Sequence, residues 1–547
     1  MSIPFTFKVQ GNANHYLYDV NSNAIMRVDE PLYELIDRVS ISHAQQNGTM
    51  SSQVSLDDRA AEQSFSAEVI NRTLETIRKS HDEMSFFSGQ KPSRMTFPFT
   101  AEEIGLILNH VVGHVILNVT EQCNLRCSYC KFTGSYPLSR THSTTTMSEA
   151  VAHRAIQFMI SRSEYLLAQT NEDLSIGFYG GEPLLAFNLI KSCVDYVRDN
   201  YKTISDRIRF SLTSNLTSSN EAALNYLMDN GFYVLVSLDG PECMHDRYRK
   251  SQDGKGTFHK VIRNLHAMKA RNPENYANRV GFSVVLAPPY DLEAVVNFFA
   301  KEELTTRRRL SVSFVDSEDT TFFDQFDDFP RMMSDLKNQQ AALRDNFVSV
   351  LRQKSDTGKQ ATLSAFLGNA VKDIFMRRLV PLSDSVFPNG ICLPGFQRAF
   401  VSPSGQLSPC EKIGYALSIG DIYSGFDIEK IYRAIEAYIA VSQSDCTQCW
   451  AVRFCKLCFV SALRNEFDVK KKQRECAASR RGLVNAMSMF CELMEADPAI
   501  LSNLYGTDRS AGGLDVAFKF LKAYREGWRP CPAGNPQEKS EQIGMLP

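Results

Sequence analysis

The sequence predicts an α/β protein built around a parallel sheet. Two observations carry this. Between about residues 113 and 316, six apolar strand-like runs alternate with helix-like ones, the order that sets parallel strands side by side with helices across them. The glycine-rich and polar signals of that stretch fall at the carboxyl ends of its first four strands, where parallel α/β folds collect their ligands.

The strand candidates are Val115–Thr120, Leu174–Tyr179, Ile208–Thr213, Tyr233–Leu238, Val280–Val285 and Leu310–Val315. Helices are expected over Ser148–Arg162, Leu185–Asn200, Glu221–Asn230, Phe258–Lys269 and Asp291–Glu303. Six such units form either an open barrel or a doubly wound sheet. Upstream, strands at Phe5–Val9, His15–Asp19 and Ala24–Val28 with helices at Pro31–Val39 and Glu68–Ser80 suggest a small α+β module, residues 1–90. Residues 40–66, rich in Ser, Gln, Asn and Asp, read as a mobile linker within it. The six-unit core spans 91–316, a charged, mostly helical insertion 317–390, and a cysteine-rich region 391–480. Residues 481–547 are helical sequence, then a Pro/Gly tail after Trp528 that reads as disordered.

A chain of 547 residues exceeds one hydrophobic core. Its net charge of −2 gives no bulk electrostatic reason to bind nucleic acid or an anionic membrane. No apolar run approaches the roughly 18 residues of a membrane span, and the first residues lack a signal-peptide pattern. The expectation is a cytoplasmic protein with neither nucleic-acid nor membrane partners.

Fourteen cysteines are many for that compartment, where clustered thiols point to metal or redox chemistry. Cys123, Cys127 and Cys130 follow strand one at C-x3-C-x2-C spacing. So short a loop wraps three thiolates around one corner of an iron–sulfur cube. A [4Fe–4S] cluster takes four, so one iron remains for a ligand that is not protein. Structural zinc also wants four ligands, and no second pair lies nearby. Cys193, Cys243, Cys491 and Cys531 are scattered and read as ordinary thiols.

Strand two ends in Phe-Tyr-Gly-Gly-Glu-Pro, residues 178–183. Gly180 and Gly181 let the backbone approach a ligand closely, and Glu182 suits an ammonium; the alternative is a tight turn with a solvated Glu. Asn215 lies in the turn after strand three. Ser237-Leu238-Asp239-Gly240-Pro241 ends strand four, with His245, Asp246 and Arg249 beyond. Turn capping and helix starting are the expected roles of Asp239, His245 and Asp246. The second cysteine group reads Cys392-x12-Gly405-x4-Cys410, then Cys446-x2-Cys449-x5-Cys455-x2-Cys458, then Cys476. Paired CxxC units at 446–458 are also compatible with tetrahedral zinc.

On these residues the chain resembles the radical S-adenosylmethionine (radical SAM) superfamily, and its later cysteines resemble the SPASM domain, with the last short spacer two residues instead of three. The resemblance implies a partial (β/α)6 TIM barrel carrying an N-terminal α+β winged-helix-like module and a C-terminal cysteine-rich SPASM domain. It implies that the open iron chelates S-adenosylmethionine, whose cleavage yields a 5′-deoxyadenosyl radical. Gly180, Gly181 and Glu182 would contact the methionine amino group. Asn215 would belong to a TTNGT-like turn in which Leu216 stands for the usual glycine. Ser237 would hydrogen-bond the cofactor, and Arg249 would pair with its carboxylate. Cys392, Cys410 and Cys458 would hold a first auxiliary [4Fe–4S] cluster. Cys446, Cys449, Cys455 and Cys476 would hold a second, leaving the eighth ligand unassigned.

Residues 1–90 resemble a PqqD-like recognition module, which takes a peptide as an added strand. The implied enzyme is a peptide maturase that abstracts hydrogen from a ribosomally made precursor and closes a thioether or carbon–carbon crosslink. It would use S-adenosylmethionine, three [4Fe–4S] clusters and an electron donor such as flavodoxin or ferredoxin. Asp and Glu are too numerous to single out its general base. One rival is a sulfatase-type maturase making formylglycine from Cys or Ser, against which stand the roughly 110 residues ahead of the first cluster loop. The other is a non-catalytic iron–sulfur carrier or peptide-binding scaffold, against which stands the GGEP-like motif.

Overall fold

The structure is a computed structural model that describes residues 2–46, 49–56, 61–218, 220–353, 358–506 and 514–530. The tail after residue 530, with Cys531, lies outside the described residues.

Among the described residues ten strands share one sheet. Six are parallel: β1 (His114–Thr120), β2 (Leu174–Gly180), β3 (Ile208–Ser214), β4 (Tyr233–Ser237), β5 (Val280–Leu286) and β6 (Arg309–Phe314). They lie in chain order, with β6 at one edge. Every β1 residue from Val115 to Thr120 is buried, as expected of a strand covered on both faces. The edge strand β6 is largely exposed. The crossovers are α1 (Glu149–Ile160), α2 (Phe187–Asn200), α3 (Glu221–Asp229), α4 (Phe258–Arg271) and α5 (Leu292–Lys301). In α1 the buried side chains Ala152, Ala155, Ile156 and Met159 recur at helical spacing, and Ser148 caps the start by accepting from the Val151 amide.

The sheet does not stop at β1. Its other side is taken by β7 (Ala399–Val401), parallel to β1 in the register Ala399↔Val115 to Val401↔Leu117. Antiparallel β8 (Gln406–Ser408), β9 (Gly420–Asp421) and β10 (Gly425–Phe426) follow. The cysteine-rich region is thus hydrogen-bonded into the barrel sheet. Helices Phe329–Arg352, Gly358–Leu363 and Asn369–Phe375 occupy the expected helical insertion. The long helix Val469–Ala496 carries Cys476 and runs on past residue 480.

The N-terminal module holds a three-stranded antiparallel sheet, Thr6–Gln10, His15–Asp19 and Ala24–Val28, with helices Glu30–Leu35 and Ala67–Met84. Its core includes Leu17, Ile36 and Ile77. The mobile linker expected over 40–66 is corrected. Val39–Gln46 and Thr49–Leu56 pair as an antiparallel hairpin from Val39↔Leu56 to Gln46↔Thr49. Val39, Ile41, Val54 and Leu56 pack with that core. This period-two alternation was masked by the polar residues between.

Candidate active site and metal centres

β1 ends at Thr120 and the chain turns at once into the cysteine loop, onto which the end of β2 is laced. The Gly181 amide donates to Thr120 O and the Glu182 amide to Gln122 O, both at 2.8 Å. A Cβ on Gly180 would meet Thr120 O at 2.1 Å, and one on Gly181 would meet Gln122 O at 2.0 Å. The backbone that these glycines admit is therefore the cysteine loop itself. Cys127 is buried and Cys123 and Cys130 are partly so, packed with Leu125, Tyr129 and Tyr248. Burial pushes the Cys123 thiol up to about 11 and that of Cys127 up to about 12. Bare thiolates are disfavoured there, and a bound cation is what would ionise them. The loop thus suits metal ligation better than free thiolate chemistry.

Glu182 is not solvated; it is 1% exposed. Its Oε1 accepts from Ser214 Oγ at 2.7 Å and the Leu184 amide at 3.1 Å, and its Oε2 from the Asn215 amide at 2.7 Å. Burial nonetheless pushes its carboxyl up to about 7, and an ammonium placed beside it would bring it back down. Asn215 donates from Nδ2 to Asn124 Oδ1 at 3.0 Å, tying the β3 turn to the cysteine loop. Leu216 adopts φ +55°, the left-handed conformation that a glycine would take there. That costs roughly 1–2 kcal/mol. It is offset by complete burial of the side chain, worth roughly 1.5–3 kcal/mol. Asn264 Nδ2 donates to the Leu216 carbonyl at 2.7 Å and fixes the turn.

At the end of β4, Ser237 is half-buried. Asp239 is the hub beyond it. Its carboxylate accepts from Arg249 Nε at 2.8 Å and Nη2 at 3.1 Å, from Tyr129 Oη at 2.5 Å and from the Val285 amide at 3.0 Å. Two N–H groups of Arg249 are thereby committed to Asp239, leaving those of Nη1 and the second of Nη2 for another acceptor. Burial pushes His245 down to about 4, so it is neutral. Its Nε2 lies 3.1 Å from Thr257 Oγ1. Asp246 Oδ1 accepts from the Thr257 and Phe258 amides at the start of α4.

The later cysteines act on one another electrostatically. Burial pushes the Cys392 thiol up to about 12, and nearby Cys410 and Cys458 push it the same way. Burial also raises Cys410, which feels Cys458. Burial raises Cys446, with Cys455 and Cys449 adding to it and Lys472 opposing. Cys476, raised by burial, feels Cys446 and Cys455. Cys458 acts on both Cys392 and Cys410, and with Cys455 and Cys446 it also acts on Tyr438. Among the described residues no three His, Cys, Asp or Glu side chains converge as tightly as one metal ion requires. The donor chemistry of both sets suits thiolate-ligated iron.

The first loop and the cysteine-rich region meet at Tyr415. Its Oη donates to Glu121 Oε1 at 2.6 Å and accepts from Asn118 Nδ2 at 2.8 Å. A cleft of about 330 Å³ opens beside it, lined by Lys131, Arg140, Glu411 and Lys412 among others. Two residues here escaped the sequence reading. Tyr415 carries no local signal. Lys472, whose Nζ lies 3.3 Å from Cys446 Sγ, is legible only as a lysine one helical turn before Cys476.

Residues 117–298, from β1 into α5, match the radical SAM superfamily profile. That stretch is a radical SAM domain within the α/β fold. An uncharacterised protein of Methanocaldococcus jannaschii is 33% identical over 159 residues, 29% of this chain and 49% of that one. The cysteine-type anaerobic sulfatase-maturating enzyme of Clostridium novyi is 26% identical over 28% of this chain and 38% of its own. The radical SAM cyclopropyl synthase TigE of Paramaledivibacter caminithermalis is 27% identical over 31% and 34%. The chain therefore spans a third to a half of the length of these relatives. Native anSMEcpe with bound AdoMet and Cp18Cys peptide shares the fold, at TM-score 0.52 and 20% identity over 71% of this chain and 98% of that one. No helix among the described residues is long and apolar enough to cross a membrane.

Proposed function

We propose that this chain is a radical SAM enzyme that matures a ribosomally synthesised precursor peptide by an intrapeptide crosslink, thioether or carbon–carbon. The observation that carries this reading is the placement of a separate α+β module against the spacer between Cys449 and Cys455, where Arg453 donates to the Val20 and Asn21 carbonyls. A PqqD-like peptide-recognition role for residues 1–90 accounts for that module; a barrel acting on a short motif alone does not need it.

A [4Fe–4S] cluster on Cys123, Cys127 and Cys130 would supply reductive cleavage of S-adenosylmethionine. Glu182 would take the methionine amino group through its remaining lone pairs, with Gly180 and Gly181 fixing its distance from the loop. Asn215 and Ser237 would face the cofactor from the ends of β3 and β4. Arg249 would offer its remaining N–H groups to the cofactor carboxylate while Nε and Nη2 hold Asp239, which also accepts from Tyr129 Oη. The sets Cys392/Cys410/Cys458 and Cys446/Cys449/Cys455/Cys476 would each hold an auxiliary [4Fe–4S] cluster that passes the surplus electron to a flavodoxin- or ferredoxin-type carrier.

The curated sulfatase-maturating relative and the anSMEcpe fold favour a second reading, oxidation of Cys or Ser to formylglycine. Co-expression with a precursor peptide encoded beside the chain separates the two. A crosslink removes two hydrogens, keeps every side-chain heavy atom and leaves no carbonyl for a hydrazide probe. It should vanish when residues 1–90 are deleted. A hydrazide-reactive product made equally well by the deletion variant would establish the second reading. Release of no more 5′-deoxyadenosine than a Cys123→Ala variant would leave only a scaffold or electron carrier.

A further inference from the structure

We propose that Lys472 is the charge partner of the Cys446, Cys449, Cys455 and Cys476 set, and that it makes a cluster held there easier to reduce. This rests on the auxiliary-cluster reading above. Lys472 lies on the helix Val469–Ala496, four residues before Cys476, so the two side chains share one face. It is 2% exposed. Its Nζ lies 3.3 Å from Cys446 Sγ and 3.9 Å from Cys476 Sγ, under the ring of Tyr438 at 5.9 Å.

Lys471 makes the contrast. It too is buried, but its ammonium pairs with Asp319 at 3.3 Å and donates to the Leu463 carbonyl at 3.0 Å. Lys472 forms no ion pair among the described residues. An ammonium taken out of water without a counter-charge is strongly disfavoured. The acceptors around Lys472 are sulfurs, and these balance it only as thiolates. A thiolate-ligated cluster on this set would set its sulfurs directly against Lys472 Nζ.

Hydrogen bonds to the ligating sulfurs and the local net charge are what set an iron–sulfur potential. One-electron uptake makes a cluster more negative, and a fixed ammonium against two of its ligands favours that reduced form. The Cys392, Cys410 and Cys458 set has a different environment. Arg398, the cation that acts on Cys392, is 44% exposed at its side chain and pairs with Glu411 at 3.1 Å. The second set should therefore be reduced first.

The test is a potentiometric titration of the anaerobically reconstituted full chain, followed by electron paramagnetic resonance. A Cys123→Ala/Cys127→Ala/Cys130→Ala background leaves only the auxiliary sites to report. The signal removed by Cys449→Ala identifies the second set. Lys472→Met should shift its reduction equilibrium at least tenfold toward the oxidised form, about 59 mV for one electron. Lys472→Arg should stay within tenfold of the parent, and the other auxiliary signal should not move. Loss of iron from that set in Lys472→Met but not in Lys472→Arg would equally support a need for the charge. A shift below tenfold in Lys472→Met with iron intact, or the same iron loss in both variants, overturns the proposal. Parent protein whose iron content is unchanged by Cys449→Ala would overturn the cluster reading itself, a failure that iron analysis distinguishes from the other two.

Discussion

Trp450 stacks on Phe7, ring centroids 3.8 Å apart and planes within 15° of parallel. Phe7 is in the first strand of the N-terminal module, and Trp450 begins the spacer between Cys449 and Cys455. Tyr18 meets Phe454 in the same spacer at 5.4 Å. The module's seat is the stretch of chain that sets the spacing of two candidate iron ligands.

Trp450→Ala removes that stack, worth about 1 kcal/mol beyond the area it buries. Hydrogen exchange should speed up in Thr6–Gln10 and His15–Asp19 while β1 to β5 keep their protection. Unchanged exchange in the module would mean that the stack does not hold it in place.

Glu182 supplies a pH dependence. Its folded carboxyl, at about 7, stands above its ordinary value of 4.5. The folded state therefore binds more protons than the unfolded state between those values. The stability tied to this group is present at low pH and is lost as pH rises through 7. In urea unfolding of the cluster-free chain, wild type should lose ground relative to Glu182→Gln between pH 5 and pH 8. A pH-independent difference between the two would rule this out.

Cys455 and Cys458, with two residues between them, should behave as ligands of different centres. Cys458→Ser should abolish the same spectroscopic signal as Cys392→Ser, and Cys455→Ser the same signal as Cys476→Ser. Loss of one and the same signal in Cys455→Ser and Cys458→Ser, with Cys392→Ser and Cys476→Ser unaffected, would restore a shared site on the two CxxC pairs.

Arg249→Lys keeps the charge and loses the two-pronged grip on Asp239. Breaking a buried pair of this kind costs about 3–5 kcal/mol, and the lysine ammonium recovers part of it. A loss of about 2 kcal/mol is expected from the denaturant midpoint, with a similar loss for Asp239→Asn. Because both act through one contact, the double variant should lose less than the sum of the two. Strict additivity would mean that Asp239 and Arg249 are not coupled.

The inner parallel strands were legible as mostly apolar runs, as Val115–Thr120 is apart from Asn118 and Thr120, and edge strand β6 by the alternation of Leu310, Val312 and Phe314 with polar residues. The hairpin 39–56 was not, since its apolar residues are outnumbered by Ser and Gln. Nor were β7 to β10, at two or three residues each too short for any period to show. Cysteine spacing singled out the candidate ligands, and the SPASM resemblance proposed how the later ones divide. It did not tell what surrounds them. The Tyr415–Glu121 bond joins positions 294 apart, and such pairs leave no trace in local pattern. Leu216 is the intermediate case. The departure from glycine was visible, but the burial that offsets its left-handed backbone was not.

The parallel pairing of Ala399–Val401 with Val115–Leu117 bears on any attempt to dissect the chain. A fragment ending near residue 390 would strip the partner from the barrel's first strand and bare its amides and carbonyls beside the cysteine loop. Such an open flank invites intermolecular strand addition. The truncated barrel should self-associate on expression, and grafting the last third of a relative onto it would succeed only if the donor brings its own matching strand.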